Sequence, residues 1–93
     1  MLTIKRGAKS FYVGDSELKP LAEMVFVEAG KGLIIIEHTE VKDQLRGQNM
    51  GSRLLEQVVE LARAEKKKIM PLCPFANREM GKRREEFADV LDQ

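Results

Sequence analysis

The sequence predicts an α/β (α+β) fold with element order β-β-β-β-α-β-α-α, and three observations carry that reading. Alternating apolar segments occupy the first forty residues, one long stretch of helical periodicity runs from about residue 50 to 65, and a short apolar run then meets a proline that suits a helix start. The chain has 93 residues, 43% of them apolar, which is the size and composition of one domain, residues 1–93, around one core.

Leu2, Ile4 and Arg6 open an alternating segment, and Ser10 to Val13 forms a second around Phe11 and Val13. Gly7 and Gly14-Asp15 punctuate the turns between them. After Pro20, Leu21 to Ala29 reads as a longer strand with Ala22, Met24 and Phe26 on one face and Val25, Val27 and Ala29 on the other. Gly30-Lys31-Gly32 is a hairpin turn. Leu33 to Val41 follows as a strand whose first half is apolar on both faces, as expected of a central strand covered on each side. Its second half, Glu37, His38, Thr39 and Glu40, is polar, so this strand end should open onto a site rather than onto core.

From Asn49 or Met50 to Glu65, the apolar positions Met50, Leu54, Val58, Leu61 and Ala62 recur at helical spacing, with Leu55 and Val59 beside them. Lys66 to Lys68 suit the negative end of that helix. Ile69 to Leu72 is a short strand. Pro74 can begin a second helix, since the first helical position has no use for an amide hydrogen. Phe75, Ala76 and Met80 should then face inward, with Gly81 as terminator. Arg84 to Leu91 reads as a last short helix that brings Phe87, Val90 and Leu91 to the core.

Charge and composition exclude several classes. Sixteen basic and fifteen acidic residues leave a net charge of +1 and no bulk field for nucleic acid or an anionic membrane; 5% aromatic content argues the same way. No apolar run approaches the roughly 20 residues of a membrane span. The first residues lack a signal-peptide pattern and one cysteine cannot make an internal disulfide, so a cytoplasmic protein with Cys73 as a thiol is expected. No metal site is expected, and a monomer or weak dimer suits the size.

The segment Arg46-Gly47-Gln48-Asn49-Met50-Gly51 joins a strand to the strongest helix, where unpaired amides and the positive end of a helix dipole converge. Such ends bind phosphate oxygens. Gly47, Asn49 and Gly51 tolerate unusual backbone angles, and Ser52 can add a hydroxyl. A plain connecting turn with a helix cap is the other reading of these residues.

Glu37-His38-Thr39-Glu40-Val41, Leu45 through Gly51, and Pro71-Leu72-Cys73-Pro74-Phe75 together resemble the signature stretches of a very small branch of the GNAT (N-acetyltransferase) superfamily, over roughly residues 21 to 91. The superfamily loop pattern falls on Arg46, Asn49 and Gly51, with Asn49 where a glycine is usual. The branch's later tyrosine and His-Pro pair are replaced here by Glu79 or Met80 and by Arg84-Glu85. The resemblance implies a mostly antiparallel mixed sheet whose fourth and fifth strands form a splayed parallel pair. It also implies acetyl-CoA as cofactor, bound by Thr39, Glu40, Val41, Arg46, Gly47, Gln48, Asn49, Met50, Gly51, Ser52, Pro74 and Asn77. The acetyl acceptor would be an amine on an unidentified small molecule or protein.

Cys73 and His38 are the candidate catalytic residues, both expected near the thioester. Histidine has an ordinary pKa of about 6.5, which suits a base at neutral pH; a hydrogen-bonded histidine at a sheet edge is the plainer reading. Cys73 precedes Pro74, close to helix amides that favour a thiolate, and a thiolate beside a thioester can accept the acetyl group or act as a base. A small buried hydrophobe is its alternative role. A coenzyme-A-binding module without catalysis is the alternative for the whole chain. Lys66 to Lys68 and Lys82 to Arg84 read as solvated faces, one of which could meet the cofactor's 3′-phosphate.

Overall fold

A computed structural model describes residues 3–92, so Leu2 of the expected first strand lies outside the described residues. The elements are β1 (Lys5–Arg6), β2 (Ser10–Val13), β3 (Ala22–Ala29), β4 (Leu33–Val41), a 3-10 turn (Asp43–Leu45), α1 (Met50–Glu65), β5 (Lys68–Pro71) and α2 (Pro74–Lys82). The five strands form one sheet in the order β1-β2-β3-β4-β5. Every pairing is antiparallel except β4 with β5, which α1 connects as a crossover. No helix among the described residues is long and apolar enough to cross a membrane.

One face of the sheet carries the core. Ala22, Met24 and Phe26 of β3 and Ile34 and Ile36 of β4 are buried with Leu54, Leu55, Val58, Val59 and Ala62 of α1, all at 3% exposure or less. Burying a leucine- or isoleucine-sized side chain contributes roughly 1.5–3 kcal/mol, so this stripe from α1 supplies much of the drive that closes the fold. The opposite face is not covered as the sequence led us to expect. Leu33 and Ile35 are only half-buried and Val27 is 37% exposed, because α1 packs on the buried side and α2 packs against α1 and the β4-β5 end.

The expected third helix does not form. Arg83 to Val90 is a run of turns in which the Val90 amide donates to the Phe87 carbonyl at 3.0 Å. Two interactions draw the chain out of helical geometry. The Ile69 amide donates to the Val90 carbonyl at 2.6 Å and the Asp92 amide to the Ile69 carbonyl at 2.9 Å, so this segment runs beside β5. The Arg83 guanidinium, bonded to Glu56 and Glu86, also lies 4.4 Å from the centre of the Phe87 ring. Phe87 and Val90 nevertheless reach the core, as expected of them.

The β1-β2 turn is held by a carboxylate rather than by its own backbone alone. Glu17 accepts from the amides of Ala8 and Lys9, both at 3.0 Å, and from the hydroxyl of buried Ser10 at 2.9 Å. Those donors, the Lys9 amide foremost, hold its carboxyl below the ordinary 4.5. A carboxyl whose pKa is lowered by folding contributes its stability in full above the unfolded value and loses it as pH falls through the folded one. Glu28, Glu86 and Asp89 are lowered by their cationic partners and act with the same sign. The melting temperature should therefore hold from neutral pH to about pH 5 and drop below it. In a Glu17→Gln variant, the deficit against wild type measured by circular dichroism should narrow as acid is added; a constant deficit would argue against this role for Glu17.

Candidate functional site

The site begins where the parallel ladder stops. β4 and β5 pair from Leu33–Lys68 to Ile36–Pro71, after which the amides of both Leu72 and Cys73 donate to the Ile36 carbonyl, at 3.0 and 3.1 Å. β5 turns away there, while β4 continues to Val41. Beyond Ile36, no strand pairs with β4 on its β5 side among the described residues, and β3 alone completes its ladder.

A bulge then changes which side chains face the gap. Val25 pairs with His38 but the next residue, Phe26, pairs with Ile36, so Glu37 has no counterpart across the ladder. The extra residue inverts the alternation of side chains along the rest of the strand. Thr39 consequently shares the face of Ile34 and Ile36, and its hydroxyl lies 3.1 Å from Cys73 Sγ. Cys73 caps α2: its sulfur accepts from the Ala76 amide at 3.3 Å, Pro74 takes the first helical position, and the side chain is buried at 4% exposure.

His38 does not join Cys73, contrary to the expectation that both would flank one reacting group. The same inversion puts it on the outer face, 57% exposed, with Nε2 4.0 Å from Glu23 and 3.9 Å from Glu40. Two carboxylates that face each other across the β3-β4 ladder repel, and the imidazole between them offers a donor to either. The three groups lie within 4.8 Å of one another, a spacing that a divalent cation can also bridge.

After Val41, the 3-10 turn buries Leu45 and presents the loop. Gly47 has φ of +83°, a left-handed conformation that a side chain rarely adopts, and an added Cβ there would meet nothing within 4 Å. Asn49 also sits in the left-handed region, at φ 58°, as the residue before α1. Its side chain makes no capping bond and the first turn of α1 contains no acidic residue. The amides of this turn are thus left without a side-chain cap from the helix's own start.

A cleft of about 590 Å³ opens over these amides. It is lined by Val41, Arg46, Gly47, Asn49, Met50, Gly51 and Ser52 from the sequence-derived set, and also by Leu45, Phe75 and Glu79. Met50 is 2% exposed, so it can offer little beyond backbone. Arg46 is paired with Asp43 at 3.0 Å. Gln48, Thr39 and Glu40 do not line the cleft, nor does Cys73. Asn77 and Pro74 also lie away from it; the Asn77 side-chain amide donates to the Pro71 carbonyl at 3.3 Å, beside a separate hollow near Gly81 and Arg84.

Two further positions also make contacts within the fold. Ser52 donates its hydroxyl to Glu79 at 2.8 Å, a partner that only the contact between α1 and α2 reveals. Gly51 is needed for packing: a Cβ built on it would stand 2.5 Å from the Phe75 ring. Three residues of the basic runs have partners as well. Lys67 pairs with Glu28 and Glu65, Lys68 donates to the Asp89 carbonyl, and Arg83 is held by Glu56 and Glu86.

The sequence pattern of a family described as GCN5-related N-acetyl-transferase matches residues 10–90. A solution structure of a GCN5-like candidate N-acetyltransferase from Staphylococcus aureus is 41% identical, with a TM-score of 0.79 over 98% of this chain and 88% of that one. A more distant structure, assigned to a GNAT-family acetyltransferase from Bacteroides thetaiotaomicron, is 21% identical, with a TM-score of 0.49, and overlaps 83% of this chain and 44% of that longer chain. No curated protein matches the sequence significantly.

The contact of Gly51 with Phe75 makes a prediction that separates packing from ligand binding. Gly51→Ala should cost about 1 kcal/mol in urea denaturation, because the ring must give way. In a Phe75→Ala background the same change should turn stabilising, by up to about 1 kcal/mol of helix propensity. A destabilisation unaffected by the second change would show that something other than the ring opposes a side chain at 51.

Proposed function

The chain belongs to the GCN5-related N-acetyltransferase family, and from that premise we propose that it binds acetyl-CoA across the β4-β5 gap and the α1 start and passes the acetyl group to an amine. The observation that carries this reading is the end of the parallel ladder at Ile36 and Pro71. Among the described residues, it leaves the β5-side edge of β4 from Glu37 to Val41 without a pairing strand. Pantetheine amides can pair with that edge at Thr39, Glu40 and Val41, as an added strand would. The diphosphate would then reach the uncapped amides from Gly47 to Ser52, where the helix dipole favours negative charge. Acetyl-CoA is a cytoplasmic metabolite, and we place the reaction there.

Aligning thioester and amine in one gap supplies most of what this reaction needs. A β4 amide would donate to the carbonyl oxygen as charge develops. Cys73, at the narrow end of the gap beside Thr39, is our candidate nucleophile. Its sulfur bonds to the acetyl carbon as the bond to the coenzyme's sulfur breaks, and the thiol proton leaves with the coenzyme. The amine then attacks the acetyl-cysteine, an amide forms, and the proton lost by the amine restores the thiol. His38, on the outer face with Glu23 and Glu40, is our candidate for taking the first proton from an entering ammonium, so that the neutral amine that reaches the gap has one proton left to restore the thiol.

Titration with coenzyme A, followed by amide NMR, should move the signals of residues 47–52 and of Thr39 to Val41; signals unmoved at millimolar ligand would remove the binding reading. Gly47→Val should weaken binding about tenfold, or 1.4 kcal/mol, by closing the left-handed conformation. Incubation with acetyl-CoA should leave an acetyl group on the wild-type protein that the Cys73→Ala protein lacks. A Cys73→Ala protein that acetylates amines at the wild-type rate would rule out the covalent route.

A further inference from the structure

We propose that Glu79 sets the affinity and phosphate selectivity of the cleft by standing in for the cofactor's diphosphate when the cleft is empty; this rests on the acetyl-CoA reading above. Three observations converge on it. Glu79 lines the same cleft as Gly47, Asn49, Gly51 and Ser52, although it comes from α2. Its side chain is only 18% exposed, and its carboxylate takes the Ser52 hydroxyl at 2.8 Å. The first turn of α1 has neither an acidic residue nor a side-chain cap of its own, so Glu79 is the carboxylate of the cleft lining that answers the positive end of α1.

Its ion pair with Arg83 is long, at 3.9 Å, while the same guanidinium makes shorter contacts with Glu56 at 2.9 Å and Glu86 at 2.7 Å. One guanidinium therefore serves three carboxylates. A diphosphate entering the cleft meets the Glu79 charge in a partly desolvated space, where like charges interact more strongly than in water. It can take the Ser52 hydroxyl only if the Glu79 carboxylate gives it up. Acetyl-CoA then binds by exchanging one anion for another at the same donor, and ligands without phosphates gain nothing from the exchange.

Calorimetry with coenzyme A and with pantetheine, which has no phosphates, tests this on wild type and on Glu79→Gln. The variant keeps an oxygen for Ser52 but loses the charge. It should bind coenzyme A about three- to tenfold more tightly at low salt, with the gain shrinking as ionic strength rises, while pantetheine affinity stays unchanged. Equal or weaker coenzyme A binding by a variant that melts like wild type would overturn the proposal, as would an equal gain for both ligands. Should Glu79→Gln fail to fold, the carboxyl ¹³C signal of Glu79 in the unaltered chain gives the answer. It should shift with coenzyme A and not with pantetheine, and a signal that coenzyme A leaves unmoved would sink the idea. Failure of wild type and variant alike to bind coenzyme A would instead remove the acetyl-CoA reading itself.

Discussion

Everything at this site depends on how far two parallel strands stay together. Pairing between β4 and β5 lasts four residues and ends when two successive amides, those of Leu72 and Cys73, converge on one carbonyl of Ile36. That shared acceptor is a steering device. It uses both amides on the last available oxygen, so the chain leaving β5 cannot continue the ladder and instead starts α2. A strand edge with unmet hydrogen-bonding capacity is costly if buried and a liability if exposed. Here it lies beside the Thr39–Cys73 contact.

The bulge at Glu37 is the second half of the same construction. Without it, the alternation begun by Ile34 and Ile36 would carry His38 and Glu40 inward, two ionisable groups on a face otherwise occupied by core. With it, Thr39 turns inward and meets the sulfur, and the ionisable pair goes to the side that α1 leaves open. One inserted residue thereby separates a sulfur environment of neutral donors from a charged outer surface. The helical side follows a comparable logic, since Gly51 lets the Phe75 ring close against α1 and brings α2 near enough for Glu79 to reach Ser52.

Much of the fold was legible because it follows from period. The limits of β4 and α1 come out as read, since nine residues of strand pattern and sixteen of helical pattern are long enough to outvote local exceptions. Asn49 and Gly47 were legible for a different reason: only a few residue types accept left-handed angles, so their presence at a loop marks the geometry. The bulge was not legible, because a one-residue insertion leaves no compositional trace in a stretch already polar. Neither was the loss of the last helix, where Arg84 to Leu91 has a helical apolar spacing that edge pairing with Ile69 overrides. The roles of Glu79 and Phe75 depend on α1 and α2 touching, and contact between distant segments is what a linear pattern encodes least.

The turn-rich stretch after α2 has a consequence for solubility. By pairing with Ile69 through Val90 and Asp92, it covers the outer edge of β5, and the opposite edge of the sheet is a strand of two residues, Lys5 and Arg6, both charged. A sheet so bounded offers little template for another molecule's strand to extend. Cleavage or fusion that pulled residues 90–92 away would uncover β5 and invite edge-to-edge self-association.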